Sequence, residues 1–294
     1  MTYSTVAIIY NPNSTGSSKT LAQNFKKNLQ GRIPKQKVEL IATKYAGHAE
    51  KLAYKIAKES KNPLIFSSSG DGGYNEVVNG AMKAQNEGSK VAIGLLPAGN
   101  ANDHWNNVHT KDVIDSIITD KAKHIDLLKI TYIAKNKTAE RYAHSYIGFG
   151  LSSMVGKELN KTKLNKFNET WLVIRTLFTL NPVRLKISDE AKKYDSVIIS
   201  NVDRMSKYLT VSNPSKINDG KFEVTISKHE NKFKLIGLLL QASLSKLKEN
   251  QQTNTFSLDT VEETLAQADG EILTIDAESH VEIIIEKQIL TCFI

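Results

Sequence analysis

A carboxylate stands inside a glycine-rich turn in the N-terminal third of the chain. The sequence Leu64-Ile65-Phe66 continues through three serines into Gly70-Asp71-Gly72-Gly73. Glycines let backbone N–H groups approach a phosphate without a Cβ atom in the way. A tight connection in any α/β protein would also explain the glycines, but it would not explain Asp71. Because a carboxylate repels phosphate unless a cation bridges the two, the turn predicts magnesium beside a phosphate.

The elements that position this turn are a strand before it and a helix after it. The apolar run Leu64-Ile65-Phe66 is typical of a buried strand. Apolar side chains then recur at helical spacing at Tyr74, Val77, Val78, Ala81 and Met82. A helix that begins at the turn adds oriented amides and the positive end of its dipole, which favour an anion.

The first 125 residues alternate between strand, loop and helix. Strands are predicted at Thr5–Tyr10, Lys37–Thr43 and Val91–Leu96, and apolar stripes predict helices near Leu21–Leu29, Ala49–Ala57 and Val113–Ile118. This order favours a parallel α/β sheet, in which ligands bind beyond the carboxyl ends of the strands. Three polar loops follow strands there, over residues 11–18, 67–73 and 97–103. We expect them to converge on one ligand.

From about Ile125 the pattern changes to alternation at period two, which predicts antiparallel strands. Two helical patches interrupt it, at Ser153–Leu180 and Phe233–Lys248, and residues 281–294 are strand-like. The first patch carries Lys157, Lys161, Lys163 and Lys166. A solvated basic face is the first interpretation of these lysines, and a membrane-surface helix is the sharper alternative.

Composition limits the function classes without choosing one. The 294 residues are 40% hydrophobic and carry a formal charge of +8, which favours nucleotide, anionic lipid surface or nucleic acid as partner. The single cysteine, Cys292, excludes an internal disulfide and is interpreted as an apolar filler. We expect a soluble cytoplasmic protein, since no signal peptide and no apolar run of about 18 residues is apparent. The scattered histidines argue against zinc, and no nucleic-acid motif appears.

Four segments in order resemble the diacylglycerol kinase catalytic-domain family. Residues Ser69 to Gly80 look like its GGDGT-x-NEVVNG signature, and Leu96 to Asp103 resemble its LPxGTxNDF motif. Asn11-Pro12 matches the NP after the first strand, and Asp269-Gly270-Glu271 matches the late DGE. The resemblance covers essentially the whole chain and is specific for the family, though not for one substrate.

The resemblance implies an ATP- and magnesium-dependent lipid kinase with an α/β fold in two domains. The first would be a three-layer α/β nucleotide-binding domain over 1–125, completed by 281–294. The second would be a mostly antiparallel β-sandwich over 126–280, with the active site between the two. The acceptor would be a lipid alcohol, either diacylglycerol, phosphatidylglycerol, a sphingoid base or an undecaprenyl-type alcohol. Transient peripheral contact with the inner membrane surface is expected, and binding to nucleic acid is not. The resemblance is also compatible with a homodimer.

The same resemblance assigns site residues by motif position. The nucleotide-contacting positions would be Asn11, Pro12, Thr43, Ser69, Gly70, Asp71, Gly72, Gly73, Tyr74, Asn75, Glu76, Gly99, Asn100, Asn102 and Asp103. Glu271 matches the proton acceptor, with Asp269 as its close partner, and which of the two is the base stays open. The segment 218–222 resembles a structural magnesium loop, in which Asp219 would give a carboxylate and Lys216 and Lys221 backbone carbonyls.

The chain departs from the family pattern at four positions. Ser69 replaces the first glycine of the signature, Gly73 its threonine, Asn100 the threonine of the second motif, and His104 the phenylalanine after it. Gly73 keeps its amide but loses a hydroxyl donor to phosphate, whereas Asn100 can still donate. We expect nucleotide binding to survive with reduced affinity.

Three other functions stay open beside the lipid kinase. A nucleotide- or lipid-binding homologue without turnover would explain the departures. An NAD kinase-like enzyme would also have a glycine-rich turn of this kind. The contiguous NEVVNG, the second motif and the late DGE argue against this alternative. A basic nucleic-acid binder rests on charge alone and predicts steeply salt-dependent binding to arbitrary DNA.

Overall fold

A computed structural model describes residues 3–14, 17–99, 101–109, 112–150, 182–188, 190–205, 209–210, 216–229 and 251–294. It divides the chain into two compact units, which we call unit 1 (Met1–Asp126 with Lys287–Ile294) and unit 2 (Leu127–Glu286). The helices predicted at Ser153–Leu180 and Phe233–Lys248 lie outside the described residues, and so do the lysines of the first.

Unit 1 alternates parallel strands with helices. Its strands are β1 (Thr5–Tyr10), β2 (Val38–Ala42), β3 (Pro63–Ser69) and β4 (Ala92–Pro97), with the first residues of β5 (Lys123–Ala134) and the last of β17 (His280–Phe293). Its helices are α1 (Ser18–Arg32), α2 (His48–Glu59), α3 (Asp71–Asn86), α4 (Asp103–Val108) and α5 (Val113–Ile118). The strand order is β2-β1-β3-β4-β17, and each neighbouring pair is parallel.

Helices cover both faces of this sheet, because successive side chains of a strand point to opposite sides. Val6 and Ile8 of β1 belong to an apolar core with Phe25 of α1 and Ile117 of α5. Helices α2 and α3 pack against the sheet and against each other, and Ala53 of α2 is fully buried. The predicted α/β fold class is confirmed.

Strand β3 is longer than its apolar run predicts, since it continues through the serines to Ser69. Buried serines are tolerated there because their hydroxyls find partners. Ser68 Oγ donates to the Ser18 carbonyl at 2.8 Å, and Ser18 Oγ donates back to the Ser68 carbonyl. These two hydrogen bonds fasten the start of α1 to β3.

Helices α2 and α3 approach each other closely at Gly80. A Cβ atom on Gly80 would lie 2.2 Å from the Glu50 carbonyl oxygen and 3.0 Å from Ala53 Cβ. We expect Gly80→Ala to lower the free energy of unfolding by about 1–3 kcal/mol, because the helices must separate to admit the methyl group. Urea unfolding followed by circular dichroism measures it.

Gly31→Ala in α1 is the matched control, since a Cβ there meets nothing within 4 Å in the described structure. Alanine should stabilise that helix by about 0.5–1 kcal/mol. Equal stability of the two variants would contradict the close packing of α2 on α3.

Unit 2 is antiparallel, as the alternating pattern predicts. Its described strands, besides the remainder of β5 and β17, are β6 (Lys137–Ala143), β7 (Tyr146–Gly150), β8 (Val183–Ile187), β9 (Glu190–Ser200), β10 (Arg204–Met205), β11 (Leu209–Thr210), β12 (Phe222–Lys228), β13 (Gln251–Thr253), β14 (Thr255–Thr260), β15 (Thr264–Ala268) and β16 (Glu271–Ile275). The order β16-β15-β7-β9-β8-β14-β17 forms the main path. Strand β12 pairs with β9 and β13, β5 with β6, and β10 with β11.

Two sequence expectations concern the surface and the end of the chain. None of the helices in the described ranges combines the length and hydropathy needed to cross a membrane. Cys292 of β17 is fully buried beside Ile93 of β4, and burial raises the pKa of its thiol to about 12. Its interpretation as an apolar filler is confirmed.

Candidate active site

Helix α3 begins directly at the glycine turn. Gly70 precedes it with extended backbone, and the Tyr74 amide donates to the Gly70 carbonyl at 3.1 Å as the first helical hydrogen bond. The amides of Asp71, Gly72 and Gly73 come before that bond, so the helix gives them no acceptor. Three oriented donors at the positive end of a 16-residue helix are the arrangement that binds phosphate.

The loop after β4 lies against this turn, backbone to backbone. A Cβ atom on Gly99 would lie 2.3 Å from Gly70 Cα, and one on Gly70 would lie 3.0 Å from Gly99 Cα. The Ala98 amide donates to the Ser69 carbonyl at 3.0 Å. Glycine is therefore required at both positions for contact between the loops, and two predicted phosphate-binding segments lie side by side.

Asn102 holds the shape of the second loop. Its Oδ1 accepts from the Gly99 amide at 2.8 Å, and its Nδ2 donates to the Gly99 carbonyl at 3.0 Å. Its own backbone is left-handed, with φ of 52°, which asparagine adopts more readily than most residues. Asn100, between Gly99 and Asn102, lies outside the described residues.

Asp71 joins the two loops through its carboxylate. Oδ2 accepts from the Asp103 amide and Oδ1 from the His104 amide, both at 3.0 Å, so Asp71 caps the first turn of α4. These two backbone donors give Asp71 a structural role beside the magnesium that the sequence predicts. Carboxylate oxygens are ligands that suit a hard cation such as magnesium. Its metal role stays a prediction.

The loops after β1 and β2 lie at the same edge of the sheet. The Asn11 amide donates to Ser18 Oγ at 3.2 Å, and Asn11 Oδ1 accepts from the Asn13 amide at 2.9 Å. The Thr43 amide donates to the Tyr10 carbonyl at 2.9 Å, just beyond the β1–β2 pairing. Asn11 and Pro12 are exposed. The structure thus brings Asn11, Pro12 and Thr43 to the edge that carries the glycine turn.

Three predicted nucleotide contacts have packing or capping roles. Glu76 accepts from the Gly47 amide at 2.9 Å and the Ala49 amide at 3.1 Å, and so caps α2. Tyr74 and Asn75 are fully buried, and the Tyr74 ring lies 5.3 Å from that of His104. Contact of these three side chains with a nucleotide stays a prediction.

Asp269 in unit 2 is a fully buried anchor. Its carboxylate accepts from three consecutive amides, those of His144 (2.6 Å), Ser145 (3.1 Å) and Tyr146 (3.0 Å). His144 Nε2 lies 3.3 Å from Oδ2, and His144 Nδ1 lies 2.8 Å from Ser145 Oγ. All three side chains are inaccessible, so this serine, histidine and aspartate cannot attack a substrate.

Asp269 instead positions the residue that follows. Asp269 and Gly270 both have left-handed backbone, with φ of 46° and 91°, in the turn between β15 and β16. Their neighbour Glu271 begins β16, and 37% of its side chain is exposed. Of Glu271 and Asp269, only Glu271 has an accessible side chain, which favours Glu271 as the base and a positioning role for Asp269. The catalytic roles predicted for Glu271, Asp269 and Asp71 stay predictions.

Glu271 has a partner that the sequence did not reveal. Its Oε2 forms an ion pair with Arg141 of β6, whose side chain is largely buried. Tyr132 of β5 is close to both: burial raises the pKa of its hydroxyl, Arg141 lowers it and Glu271 raises it. Arg141 and His144 lie in the alternating stretch RYAHSYIGFG, where periodicity predicts strands but does not identify partners.

The predicted structural metal loop is an exposed turn. Asp219 Oδ1 accepts from the Lys221 amide at 3.1 Å, and the Asp219 amide donates to the Lys216 carbonyl at 3.4 Å. Carboxylate and carbonyl oxygens suit magnesium, but the hydrogen bonds alone account for the turn. Over the described ranges no three His, Cys, Asp or Glu side chains converge as metal ligands. A metal at Asp219, Lys216 and Lys221 stays a prediction.

A cavity of about 390 Å³ lies at the opposite, amino-terminal edge of the unit 1 sheet. Residues that precede strands line it, including Tyr3, Asn62 and Val91, together with Gln85, Lys90 and Ile289. Burial raises the pKa of the Tyr3 hydroxyl to about 12, and Asp120 adds to that rise. No glycine turn borders this cavity among the residues that line it.

The segment with both glycine loops matches a known family. Residues 5–130 match the family described as Diacylglycerol kinase catalytic domain. The resemblance that the motifs predicted is thereby confirmed. The segment Ser69–Gly80 runs from the end of β3 into α3, and the segment Leu96–Asp103 runs from the end of β4 to the first residue of α4.

Similar proteins extend the likeness beyond the matched residues. A diacylglycerol kinase of Bacillus subtilis (strain 168) is 27% identical over 239 residues, covering 76% of this chain and 74% of that one. A crystal structure of a diacylglycerol kinase from Bacillus anthracis str. Sterne covers 100% of this chain and 97% of its own, with a TM-score of 0.68 and 16% identity. A crystal structure of yeast NADH kinase complexed with NADH covers 98% of this chain and 82% of its own, with a TM-score of 0.55 and 11% identity. The two structures show the fold alone.

Proposed function

We propose that the chain is a lipid kinase, which binds ATP in unit 1 and transfers its γ-phosphate to a lipid hydroxyl. The observation that carries the proposal is the backbone contact of Gly70 with Gly99 at the N-terminus of α3. Phosphoryl transfer depends mainly on positioning and charge neutralisation, and rigid amides beside a helix dipole supply both. The family match over residues 5–130 supports the same activity.

Each group has a defined task in this proposal. The amides of Gly72 and Gly73 bind phosphate oxygens, and Asp71 keeps the two loops together. Bound magnesium, held beside Asp71, would neutralise the charge of the transferring phosphoryl group. Glu271 accepts the proton of the attacking hydroxyl, while Arg141 stabilises Glu271 as an anion and orients it. Asp269 fixes the turn that presents Glu271.

Diacylglycerol is the first acceptor to test, since the Bacillus subtilis relative is named for it. A lipid acceptor requires contact with a membrane surface, and the formal charge of +8 supports affinity for an anionic one. An NAD kinase-like enzyme, with NAD as the acceptor, is the second candidate, since such an enzyme shares the glycine-rich turn. Binding without turnover is the third, because Gly73 and Asn100 replace threonines of the pattern.

The test is transfer of labelled γ-phosphate from ATP in the presence of magnesium. Mixed micelles of diacylglycerol, phosphatidylglycerol, a sphingoid base or a total lipid extract serve as acceptors, and NAD is offered in parallel. A labelled lipid supports the proposal and identifies the acceptor class. Label in NAD alone would replace it with the second candidate, and tight ATP binding with no labelled product would replace it with the third.

Asp71→Asn is expected to lower the rate of γ-phosphate transfer to the background rate. The amide can accept only through its oxygen, so one of the donors from Asp103 and His104 loses its acceptor and the loop contact loosens. The loss of charge also removes the predicted magnesium ligand. Initial rates of label transfer measure the effect, and thermal unfolding shows whether the fold survives.

Asp112→Asn is the matched control, since Asp112 caps α5 in the same unit by accepting from the Asp115 amide at 2.9 Å. It should leave both the stability and the transfer rate nearly unchanged, because asparagine caps a helix about as well as aspartate does. Undiminished transfer by Asp71→Asn would contradict both roles assigned to Asp71.

A further inference from the structure

Residues 69 and 73 share a single space at the glycine turn. A Cβ atom on Gly73 would lie 2.7 Å from Ser69 Cβ and 2.7 Å from Ser69 Oγ. Among the described residues, no other atom beyond the turn and its helix backbone comes within 4 Å of that position. The Ser69 side chain alone therefore excludes a side chain from position 73, and the turn holds one of the two.

The Ser69 hydroxyl is oriented by its own strand. Ser69 Oγ lies 2.7 Å from Ser67 Oγ and donates to the Gly70 carbonyl at 2.9 Å. Ser67 is 1% exposed, whereas Ser69, the last residue of β3, is 9% exposed. When the inner hydroxyl of Ser67 donates to Ser69 Oγ, the proton of Ser69 is directed to the loop, at the place where the amides of α3 begin.

The two departures from the signature are reciprocal. The pattern GGDGT has its glycine first and its hydroxyl residue fifth, whereas Ser69-Gly70-Asp71-Gly72-Gly73 has the hydroxyl first and the glycine fifth. The steric exclusion explains why both changes occur together. The two changes exchange the glycine and the hydroxyl residue between positions 69 and 73, whose side chains compete for the same space. The turn therefore keeps one hydroxyl.

We propose that the Ser69 hydroxyl donates to a phosphate oxygen of the bound nucleoside triphosphate, in place of the hydroxyl that residue 73 lacks. The inference rests on the proposed function, since it names a group within the ATP site. Ser69 exchanges its acceptor, from the Gly70 carbonyl to the phosphate, while Ser67 Oγ continues to orient it. The loss of Thr at position 73 is thereby compensated within the turn.

The experiment compares five variants with the unmodified chain: Ser69→Ala, Ser69→Gly, Gly73→Thr, the double variant Ser69→Gly/Gly73→Thr, and the control Ser89→Ala at the opposite edge of the sheet. Isothermal titration with ATP and magnesium gives affinity, and thermal unfolding gives Tm. We expect Ser69→Ala and Ser69→Gly to weaken ATP binding on the order of ten-fold or more, the effect of one hydrogen bond to a charged group. Ser89→Ala should bind as the unmodified chain does.

The exchange itself makes a sharper prediction. Gly73→Thr alone should lower Tm, because its Cβ collides with Ser69. The double variant should recover both Tm and ATP affinity relative to the single variants, so the effects are strongly non-additive. Additive effects on Tm and affinity would overturn the inference.

The outcomes separate this inference from the proposed function. If the unmodified chain binds ATP and Ser69→Ala binds it equally tightly, the role of the Ser69 hydroxyl is wrong and the ATP site stands. If the unmodified chain does not bind ATP, the proposed function fails and the inference fails with it.

Discussion

Glu271→Gln is expected to lower the rate of phosphoryl transfer by about 10²–10⁴-fold and to leave ATP affinity unchanged. Removing a general base costs a factor of this size. Glutamine preserves the shape of the side chain and a hydrogen bond to Arg141 but cannot accept the proton of the acceptor hydroxyl. Initial rates at saturating ATP and lipid measure the effect, and titration with ATP measures affinity in the same protein.

Glu282→Gln is the control for this prediction, because Glu282 is an exposed carboxylate of β17 in the same unit. Its transfer rate should equal that of the unmodified chain. A Glu271→Gln variant that transfers phosphate normally while its ATP affinity collapses would show that Glu271 binds nucleotide and that the base lies elsewhere.

Asp269→Asn is expected to lower the free energy of unfolding of the chain by about 3–5 kcal/mol. Three backbone N–H groups and His144 surround the Asp269 carboxylate, which water does not reach. The NH2 group of asparagine would point at these N–H donors, so at least one buried donor would lose its acceptor. Transfer activity should fall only in proportion to the fraction of protein that is folded, because Asp269 positions Glu271 and does not itself contact the substrate. Urea unfolding, with activity measured at a temperature where both proteins are folded, separates the two effects.

Asp276→Asn tests whether burial causes this cost. Asp276 also accepts from two backbone amides, those of Lys135 at 3.0 Å and Asn136 at 2.7 Å, but in an exposed turn. Water can replace its hydrogen bonds, so we expect a loss of about 1 kcal/mol. Equal losses from the two variants would contradict the role of Asp269 as a buried anchor.

Periodicity and turn chemistry predicted the elements that carry the glycine turn. The apolar run before Gly70 and the helical spacing after it correspond to β3 and α3, and alternation after Ile125 corresponds to antiparallel strands. The end of β3 was misjudged because periodicity treats serine as a loop residue. The structure instead satisfies Ser67, Ser68 and Ser69 through hydrogen bonds. Helix α4 escaped prediction because its six residues, DHWNNV, are mostly polar, whereas α5 of the same length has an apolar stripe.

The structural roles of the acidic residues could not be predicted from the sequence. Asp71, Glu76 and Asp269 each accept backbone amides from residues that lie 27–125 positions away along the chain. A local pattern contains no information about such partners. For the same reason the ion pair of Glu271 with Arg141, 130 residues apart by their numbers, came only from the structure.

Hydrogen exchange of backbone amides, with and without ATP and magnesium, locates the phosphate site of the nucleotide. We expect ATP to slow exchange at residues 70–74 and 99–104, where the two loops meet at the start of α3. Protection around Tyr3, Asn62 and Lys90 instead would place the nucleotide in the cavity at the amino-terminal edge of the sheet. That result, or no protection at either place, would contradict a phosphate site at the glycine turn.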